Sequence, residues 1–290
     1  MVSEIPVLVC HFGENKYVRN NLKISSKNNK IIFIGDNKEN TEGIDNIDFI
    51  DVRNFMKSDK INDFRDYFKP YNTKDSHFVW LSYLRMFILS EYVFQTNSDS
   101  IFQINSDNVL LSSINNYNFQ KAIAYCIPPN NDPNYMCGSI HSGLLNKKFF
   151  KMFEEFYVDI FMNKSKFHLI ENKIEYHQNH GNGGICDRTI FYLIYIENKK
   201  DIQNLLSINT DKNNEGVVFM NDLNDLEGLE SKKQFKKNKN NKIKIFNFDN
   251  QFYIYDIPRQ CFIKIMNIHF QGNAKSLLSS RTFLDTLEDV

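Results

Sequence analysis

The sequence has few cysteines and no pattern that would organise them. The five cysteines, at positions 10, 126, 137, 186 and 261, are odd in number and far apart, and no two form a C-x-x-C pair. A cysteine-based zinc site or a disulfide framework is therefore not expected. Such usage of cysteine fits a reducing compartment.

An excess of charge and long apolar runs are missing as well. Lys+Arg and Asp+Glu both number 35, so the formal net charge is zero, and this balance gives no reason to expect nucleic acid as a partner. No apolar run reaches the ~18 residues of a membrane-spanning helix, and the first residues lack the basic and apolar regions of a signal peptide. We expect a soluble, cytoplasmic protein with no transmembrane segment.

Three familiar catalytic and nucleotide-binding motifs are also absent. Residues 180–184 read H-G-N-G-G and lack the G-x-G-x-x-G spacing of dinucleotide-binding proteins. The chain contains neither the G-x-x-x-x-G-K-[ST] of P-loop enzymes nor the G-x-S-x-G of α/β-hydrolases. These absences argue against a hydride-transfer enzyme, a P-loop kinase and a serine hydrolase.

What the sequence does have is ample material for a core. It is 42% hydrophobic, with 26 Phe and 14 Tyr in 290 residues. In the first half, apolar runs of strand length alternate with segments of helical spacing. Strands are predicted at residues 5–10, 30–34, 47–52, 101–104 and 121–127, and helices at residues 17–27 and 76–95. This order predicts an α/β protein whose sheet is mostly parallel and carries helices on both faces.

The second half is less regular. Helices are predicted at residues 146–162 and 187–196, strands at residues 215–220 and 263–270, and a hairpin at residues 242–249 and 251–255. Residues 231–242 form a lysine-rich segment, for which a solvated loop and a contact with an anionic partner are the two interpretations.

Polar side chains follow several of the predicted strands. They are His11 and Gly13 after the first strand, Asp36 after the second, Asn105, Ser106 and Asp107 after the middle strand, and His269, Gly272 and Lys275 near the C-terminus. In open α/β sheets, ligands bind beyond the carboxyl ends of the strands. Each group by itself is also explained by a turn or by a structural histidine, so the prediction of a site depends on the set.

The order of these segments resembles that of GT-A-fold glycosyltransferases, a group that includes glycogenin-like enzymes and bacterial and viral polysaccharide enzymes. The segments are F-I-G-D at 33–36, W-L-S-Y-L-R at 80–85, I-F-Q-I-N-S-D at 101–107, S-G-L-L-N-K-K-F-F-K-M-F at 142–153, G-I-C-D at 184–187 and H-F-Q-G-N-A-K at 269–275. The third segment stands where the family has its D-x-D motif, and the last resembles the C-terminal H-x-x-G-x-x-K. The resemblance spans nearly the whole chain.

The resemblance implies a Rossmann-like nucleotide-diphospho-sugar transferase fold with a mixed central sheet. It implies one domain over residues 1–290, with a nucleotide-binding half at 1–120 and an acceptor-binding half, including the C-terminal motif, at 121–290. The implied activity is transfer of a hexosyl or N-acetylhexosaminyl group, as in polysaccharide biosynthesis. The implied donor is a nucleotide-sugar, most commonly a UDP-sugar, and the acceptor is a glycan or a protein-linked sugar.

The resemblance also assigns roles to individual residues. Asp107 and His269 would hold Mn²⁺ or Mg²⁺, which neutralises the charge on the departing diphosphate, and Asp187 would be catalytic, although a helix cap is the alternative. The donor would be bound by His11, Gly13, Asp36, Arg85, Asn105, Ser106, Asp107, Gly272 and Lys275.

One departure from the family pattern is the asparagine at position 105, where the D-x-D motif has its first acid. The site loses one negative charge, so metal affinity is expected to fall. The sequence leaves open whether a metal site is weakened, completed by another residue or lost. A catalytically inactive nucleotide-sugar-binding protein, and a structural α/β module in which every motif is a turn or cap, are therefore alternatives.

Overall fold

A computed structural model of the chain describes residues 4–73, 76–128, 132–181, 183–220, 234–238, 243–249 and 251–279. Most of the lysine-rich segment at 231–242 lies outside these residues. Within them, no helix combines the length and the apolar character needed to cross a lipid bilayer.

The described residues form thirteen β-strands and seven α-helices. The strands are β1 (Val7–His11), β2 (Ile31–Gly35), β3 (Ile47–Asp51), β4 (Ser100–Ile104), β5 (Asn108–Leu110), β6 (Ile123–Cys126), β7 (Ser139–Asn146), β8 (Ile202–Asn204), β9 (Asn209–Thr210), β10 (Gly216–Met220), β11 (Ile245–Phe248), β12 (Gln251–Asp256) and β13 (Cys261–His269). The helices are α1 (Lys16–Ser25), α2 (Asp59–Tyr67), α3 (Ser76–Gln95), α4 (Lys147–Tyr157), α5 (Glu171–His180), α6 (Asp187–Glu197) and α7 (Lys275–Ser279).

The central sheet has seven strands in the order β3-β2-β1-β4-β7-β6-β8. The first four are parallel to one another, β7 is antiparallel to both of its neighbours, and β8 is parallel to β6. The chain runs outward from β1 to β3 and then returns to place β4 on the other side of β1. Strand order therefore reverses between β1 and β4, as at the ligand-binding crevice of doubly wound sheets.

Alternating side chains of β1 face two different cores. Leu8 and Cys10 belong to a cluster with buried residues of α2, α3, α4 and α6, whereas Val7 and Val9 belong to a cluster that includes α1. This period of two is what a strand buried on both sides requires. The predicted α/β class, with a mixed sheet and helices on both faces, is confirmed.

A second sheet packs against the same face as α1. Its order is β11-β12-β13-β10-β9, and β5 pairs with β13 off this path. The rings of Phe102 on β4 and Phe219 on β10 lie 5.8 Å apart, centroid to centroid, in a cluster that also contains Met266 of β13. This packing brings the end of β13 beside the end of β4.

The predicted strands and helices are present, with bounds shifted by a few residues. Helix α3 has the predicted bounds, the predicted hairpin is β11 and β12, and the helix predicted at 146–162 is α4 extended by a π-turn at Val158–Met162. Helices α2, α5 and α7 and strands β5, β7, β8 and β9 were not predicted.

Candidate functional site

A cavity of about 610 Å³ opens where β1 and β4 end. It is lined by all of the site residues predicted from the sequence except Gly13 and Asp36, namely His11, Arg85, Asn105, Ser106, Asp107, Asp187, His269, Gly272 and Lys275. Aromatic rings of Phe12, Tyr17 and Phe78 form part of its wall. Residues from both halves of the chain therefore meet at the point where strand order reverses.

The polar residues after β4 form a turn that faces the cavity. The amide of Asn108 donates to the carbonyl of Asn105 at 2.9 Å, which closes a four-residue turn. Asn105, Ser106 and Asp107 line the cavity, whereas Asn108 is fully buried. The turn by which the sequence could also be explained therefore lines the cavity.

Helix α1 fixes the position of this turn through buried polar side chains spaced four residues apart. Asn21 donates to the carbonyl of Ser106 at 2.9 Å, and Ser25 accepts from the amide of Leu110 at 2.9 Å. Asn29, just beyond the helix, donates to the carbonyl of Ser112 at 3.2 Å. Asn21 and Ser25, at i and i+4, lie on one side of the helix, and this side makes the hydrogen bonds to the backbone after β4.

Strand pairing brings His269 to the same turn. In the pairing of β13 with β5, His269 lies opposite Asn108, and the amide of Phe270 donates to the carbonyl of Asp107 at 2.8 Å. Asn108 also bonds Asn267 at 2.6 Å and Ser142 of β7 at 2.7 Å. These buried bonds connect β13 and β7 to the first residue of β5.

The Asp107 carboxylate lies between two cationic or potentially cationic groups. Its Oδ1 is 3.3 Å from Nε2 of His269, and its Oδ2 is 2.9 Å from Nζ of Lys275. Burial by itself would raise the pKa of Asp107, but the hydrogen bonds and charges of His269 and Lys275 outweigh it and lower that pKa to about 2. For Lys275, burial lowers the pKa and Asp107 raises it, with a net rise. Both groups are therefore ionised at neutral pH.

Arg85 on α3 joins two other predicted residues. One of its terminal nitrogens donates to Oδ1 of Asn105 at 2.8 Å, and the other lies 3.4 Å from Oδ2 of Asp187. Gln103 donates to the same Asn105 oxygen at 3.1 Å. The amide oxygen of Asn105 therefore already has two donors.

Asp187 is the first residue of α6 and not its cap residue, a position held by Cys186. Its Oδ1 accepts from the amide of Arg188 at 3.0 Å, and its other oxygen faces Arg85. A carboxylate at a helix N-terminus is favoured by the unpaired amides and by the helix dipole. The side chain is 6% exposed, so it lies inside the cavity wall.

Two cavity residues, His141 on β7 and Arg188 on α6, were missed by the sequence reasoning. The imidazole of His141 stacks on that of His269 with 3.9 Å between ring centroids. Burial, followed by the charges of His269 and nearby cations, lowers the pKa of His141 well below its usual value. His141 directly precedes the segment at 142–153, and Arg188 directly follows Asp187. Their position beside these residues of the family resemblance was the sequence feature that could have identified them.

The residues at the ends of β1 and β2 divide into two groups. His11 lines the cavity and contacts the hydroxyl of Ser106 at 2.9 Å, and burial lowers its pKa to about 4. Gly13 donates to Oδ1 of Asp36 at 2.7 Å, but this pair does not line the cavity.

Gly272, which follows β13, does line the cavity, with a φ of +58° and open space where a Cβ would be. A left-handed backbone explains this glycine without a close ligand contact.

Asp107 and His269 are the pair that the sequence predicts to hold a divalent ion. No group of three or more His, Cys, Asp or Glu side chains in the described part of the chain is arranged to bind a metal. The 3.3 Å between the Asp107 and His269 atoms is near the ~3 Å expected for adjacent ligands of an octahedral Mg²⁺ or Mn²⁺ with bonds of about 2.1 Å. This pair suits an ion whose other ligands are phosphate oxygens and water.

Comparison with known proteins adds a distant structural likeness. No protein-family model and no curated protein sequence matches the chain. The solved structures similar to it include the PaToxG glycosyltransferase, at 12% identity and a TM-score of 0.38, over 68% of this chain and 70% of that one. A likeness of this size does not establish a shared activity.

The hydrogen bonds of Asn21 on α1 predict that its replacement lowers the stability of the protein. In Asn21→Leu the volume is similar, but the carbonyl of Ser106 loses its donor and the O–H of Ser25 loses its acceptor. Leaving such buried groups unpaired costs about 1–3 kcal/mol, so the free energy of unfolding should fall by about that amount in urea denaturation. Lys23→Ala, at an exposed position of the same helix, is the control and should stay within about 0.5 kcal/mol of the parent. Equal stabilities of both variants and the parent would show that the turn does not depend on Asn21.

Proposed function

We propose that this protein is a glycosyltransferase that binds a nucleotide-sugar, with UDP as the expected nucleotide, and transfers the sugar to a glycan or protein-linked acceptor. The observation that carries the proposal is the convergence of Asp107, His269, Lys275 and Arg85 in a cavity at the reversal of strand order. Ligands of doubly wound sheets bind at this place.

The charges of the cavity wall suit a diphosphate. Arg85, Arg188 and Lys275 are its lining cations, and Asp107 and Asp187 are its lining carboxylates. The Lys275 side chain is 37% exposed and also lies over the ring of Tyr17, 5.2 Å from the centroid. It is held in place yet accessible, as required of a cation that is to meet phosphate oxygens.

A divalent ion fits this proposal as a companion of the donor. Asp107 and His269 would hold it, and it would supply neutralisation of the charge that grows on the leaving diphosphate. The chain itself supplies Lys275 for the same charge. Asn105 does not serve as an ion ligand in this proposal, because its oxygen is occupied by Arg85 and Gln103.

Asp187 is proposed as the carboxylate near the donor sugar or the incoming acceptor hydroxyl. Its link to Arg85 at 3.4 Å is long for a charge-assisted hydrogen bond, so its Oδ2 is not tightly bound and can face a ligand hydroxyl. Proton transfer by a positioned carboxylate contributes roughly 10²–10⁴-fold to a rate.

A second candidate function is nucleotide-sugar binding without turnover. It is favoured by the reduced donor set at the turn, where Asp107 is the one carboxylate and is already paired with His269 and Lys275. Both candidates place the same ligand in the same cavity, and they differ in whether a sugar leaves the nucleotide.

Nucleotide binding tests both candidates, and release of the nucleotide from its sugar separates them. Of UDP, GDP, CDP and TDP, UDP should raise the melting temperature most, because it is the expected nucleotide. The effect is measurable, since a ligand at ~100 times its dissociation constant stabilises the folded protein by about 2.7 kcal/mol. Release of UDP from UDP-sugars, with and without Mn²⁺, is then measured for the parent and for Asp187→Asn.

Turnover that falls roughly 10²–10⁴-fold in Asp187→Asn, with unfolding unchanged, is the expected result for a catalytic residue. Binding without release in the parent would select the inactive binder. The absence of any nucleotide effect on melting would contradict both candidates.

The C-terminal motif predicts different responses of two variants to metal. His269→Ala should lower turnover in a way that excess Mn²⁺ partly restores, because mass action compensates for a lost ligand. Lys275→Ala should lose about 10- to 100-fold in turnover, from about 1.5–3 kcal/mol for a charge-assisted contact, and Mn²⁺ should not restore it. Turnover measured over a Mn²⁺ series tests both, and parental rates in both variants would remove this motif from the site.

A further inference from the structure

We propose that His141 is a fixed hydrogen-bond donor to the diphosphate of the ligand, and that Asn105 is the positioning residue that orients it. The Nε2 atom of His141 is buried and has no hydrogen-bond partner among the described residues, and the residue lines the cavity. This inference rests on the proposed function, because the ligand is taken to be a nucleoside diphosphate or its sugar.

The orientation of the Asn105 amide follows from its neighbours. Arg85 can only donate hydrogen bonds, and it contacts Oδ1 of Asn105 at 2.8 Å. Gln103 also presents its amide nitrogen to that atom. The atom facing Arg85 is therefore the oxygen, and the amide nitrogen of Asn105 points the other way, toward Nδ1 of His141.

The tautomer of His141 follows in turn. Because the Asn105 nitrogen donates, Nδ1 of His141 must accept, and a ring nitrogen that accepts carries no proton. A neutral imidazole then holds its proton on the other nitrogen. The hydrogen bonds that link Arg85, Asn105 and His141 thus place the proton of His141 on Nε2. This N–H group can donate a hydrogen bond to a ligand and cannot accept one.

The position of this donor indicates what it meets. His141 stacks on His269, whose Nε2 lies 3.3 Å from Asp107, and Lys275 contacts the other Asp107 oxygen. A buried N–H group without a partner is unfavourable and is commonly satisfied by water or ligand. A phosphate oxygen bound beside Lys275 is an acceptor of the right kind.

This assignment gives a specific reason for asparagine at position 105. An aspartate there would still accept from Arg85 and Gln103, but it has no N–H group for His141. It would instead accept a hydrogen bond from Nδ1–H, which leaves Nε2 as an acceptor facing the phosphate. Asn105→Asp should therefore bind a nucleoside diphosphate more weakly even in excess Mn²⁺, whereas a defective metal motif would be improved by the added carboxylate.

The tautomer is tested without any ligand by long-range ¹⁵N–¹H NMR of the histidine-labelled protein. The His141 signals are assigned by their loss in His141→Gln. The parent should show the Nε2–H tautomer and Asn105→Asp the Nδ1–H tautomer. An Nδ1–H tautomer in the parent would overturn the role given to Asn105.

The contact with the ligand is tested with a crossed pair of variants and two probes, UDP and inorganic pyrophosphate. His141→Phe keeps a ring to stack on His269 and removes the donor, whereas His141→Gln removes the ring and keeps an N–H donor. Calorimetric titration should show affinity for both probes falling roughly 10- to 100-fold in His141→Phe and only a few-fold in His141→Gln.

Equal losses in the two variants would mean that packing matters and not the donor. A loss with UDP but not with pyrophosphate would move the contact from the phosphates to another part of the nucleotide. If the parent binds neither probe, the proposed function and the ligand contact fail together, while the tautomer result still decides the role of Asn105.

Discussion

The carboxylate of Asp107 is the charge around which the cavity is organised. It is 9% exposed, and a buried carboxylate is strongly unfavourable unless it is paired and hydrogen-bonded. Its partners, His269 and Lys275, lie more than 160 residues further along the chain. The turn after β4 and the segment after β13 must therefore meet for the charge to be accommodated, and the second sheet and α1 provide the surfaces that bring them together.

A second group of charges is arranged around Arg85 in the same cavity. This arginine contacts Asn105 after β4 and Asp187 at the start of α6, so α3 connects the two halves of the cavity wall. Paired charges of this kind let a polar cavity exist inside the fold. In the proposed function, an arriving diphosphate would replace ion pairs within the protein by ion pairs with the ligand. Cations preorganised by packing lose little on binding an anion.

Much of the fold follows from periodicity that the sequence shows. The apolar runs of β1, β2 and β4 and the helical spacing of α3 were sufficient to predict these elements, and the rule that ligands lie beyond strand ends brought Asp107 and His269 into one prediction. Strand β7 was missed because Ser139, His141 and Gly143 interrupt its apolar pattern, and it is defined by pairing on both sides with β4 and β6.

The parts of the site that could not be predicted depend on contacts between distant residues. Gly13 and Asp36 also follow strands, but they bond each other and do not line the cavity. Their position at strand ends does not distinguish them from His11. The sequence compared Asn105 only with the first acid of the D-x-D motif. Its hydrogen bonds are made to Arg85 of α3 and His141 of β7, which are distant in sequence. Such roles are set by tertiary structure and not by local pattern.

The most direct test of the account is a crystal structure of the protein with UDP and Mn²⁺. The account predicts the diphosphate in the cavity between β1 and β4, with a phosphate oxygen within hydrogen-bonding distance of Lys275 Nζ and beside Asp107. A similarly sized cavity of about 660 Å³ lies elsewhere on the molecule, lined by residues that include Lys27 and Lys264. UDP bound there, with the Asp107–Lys275 pair undisturbed and no nucleotide beside it, would contradict the central claim.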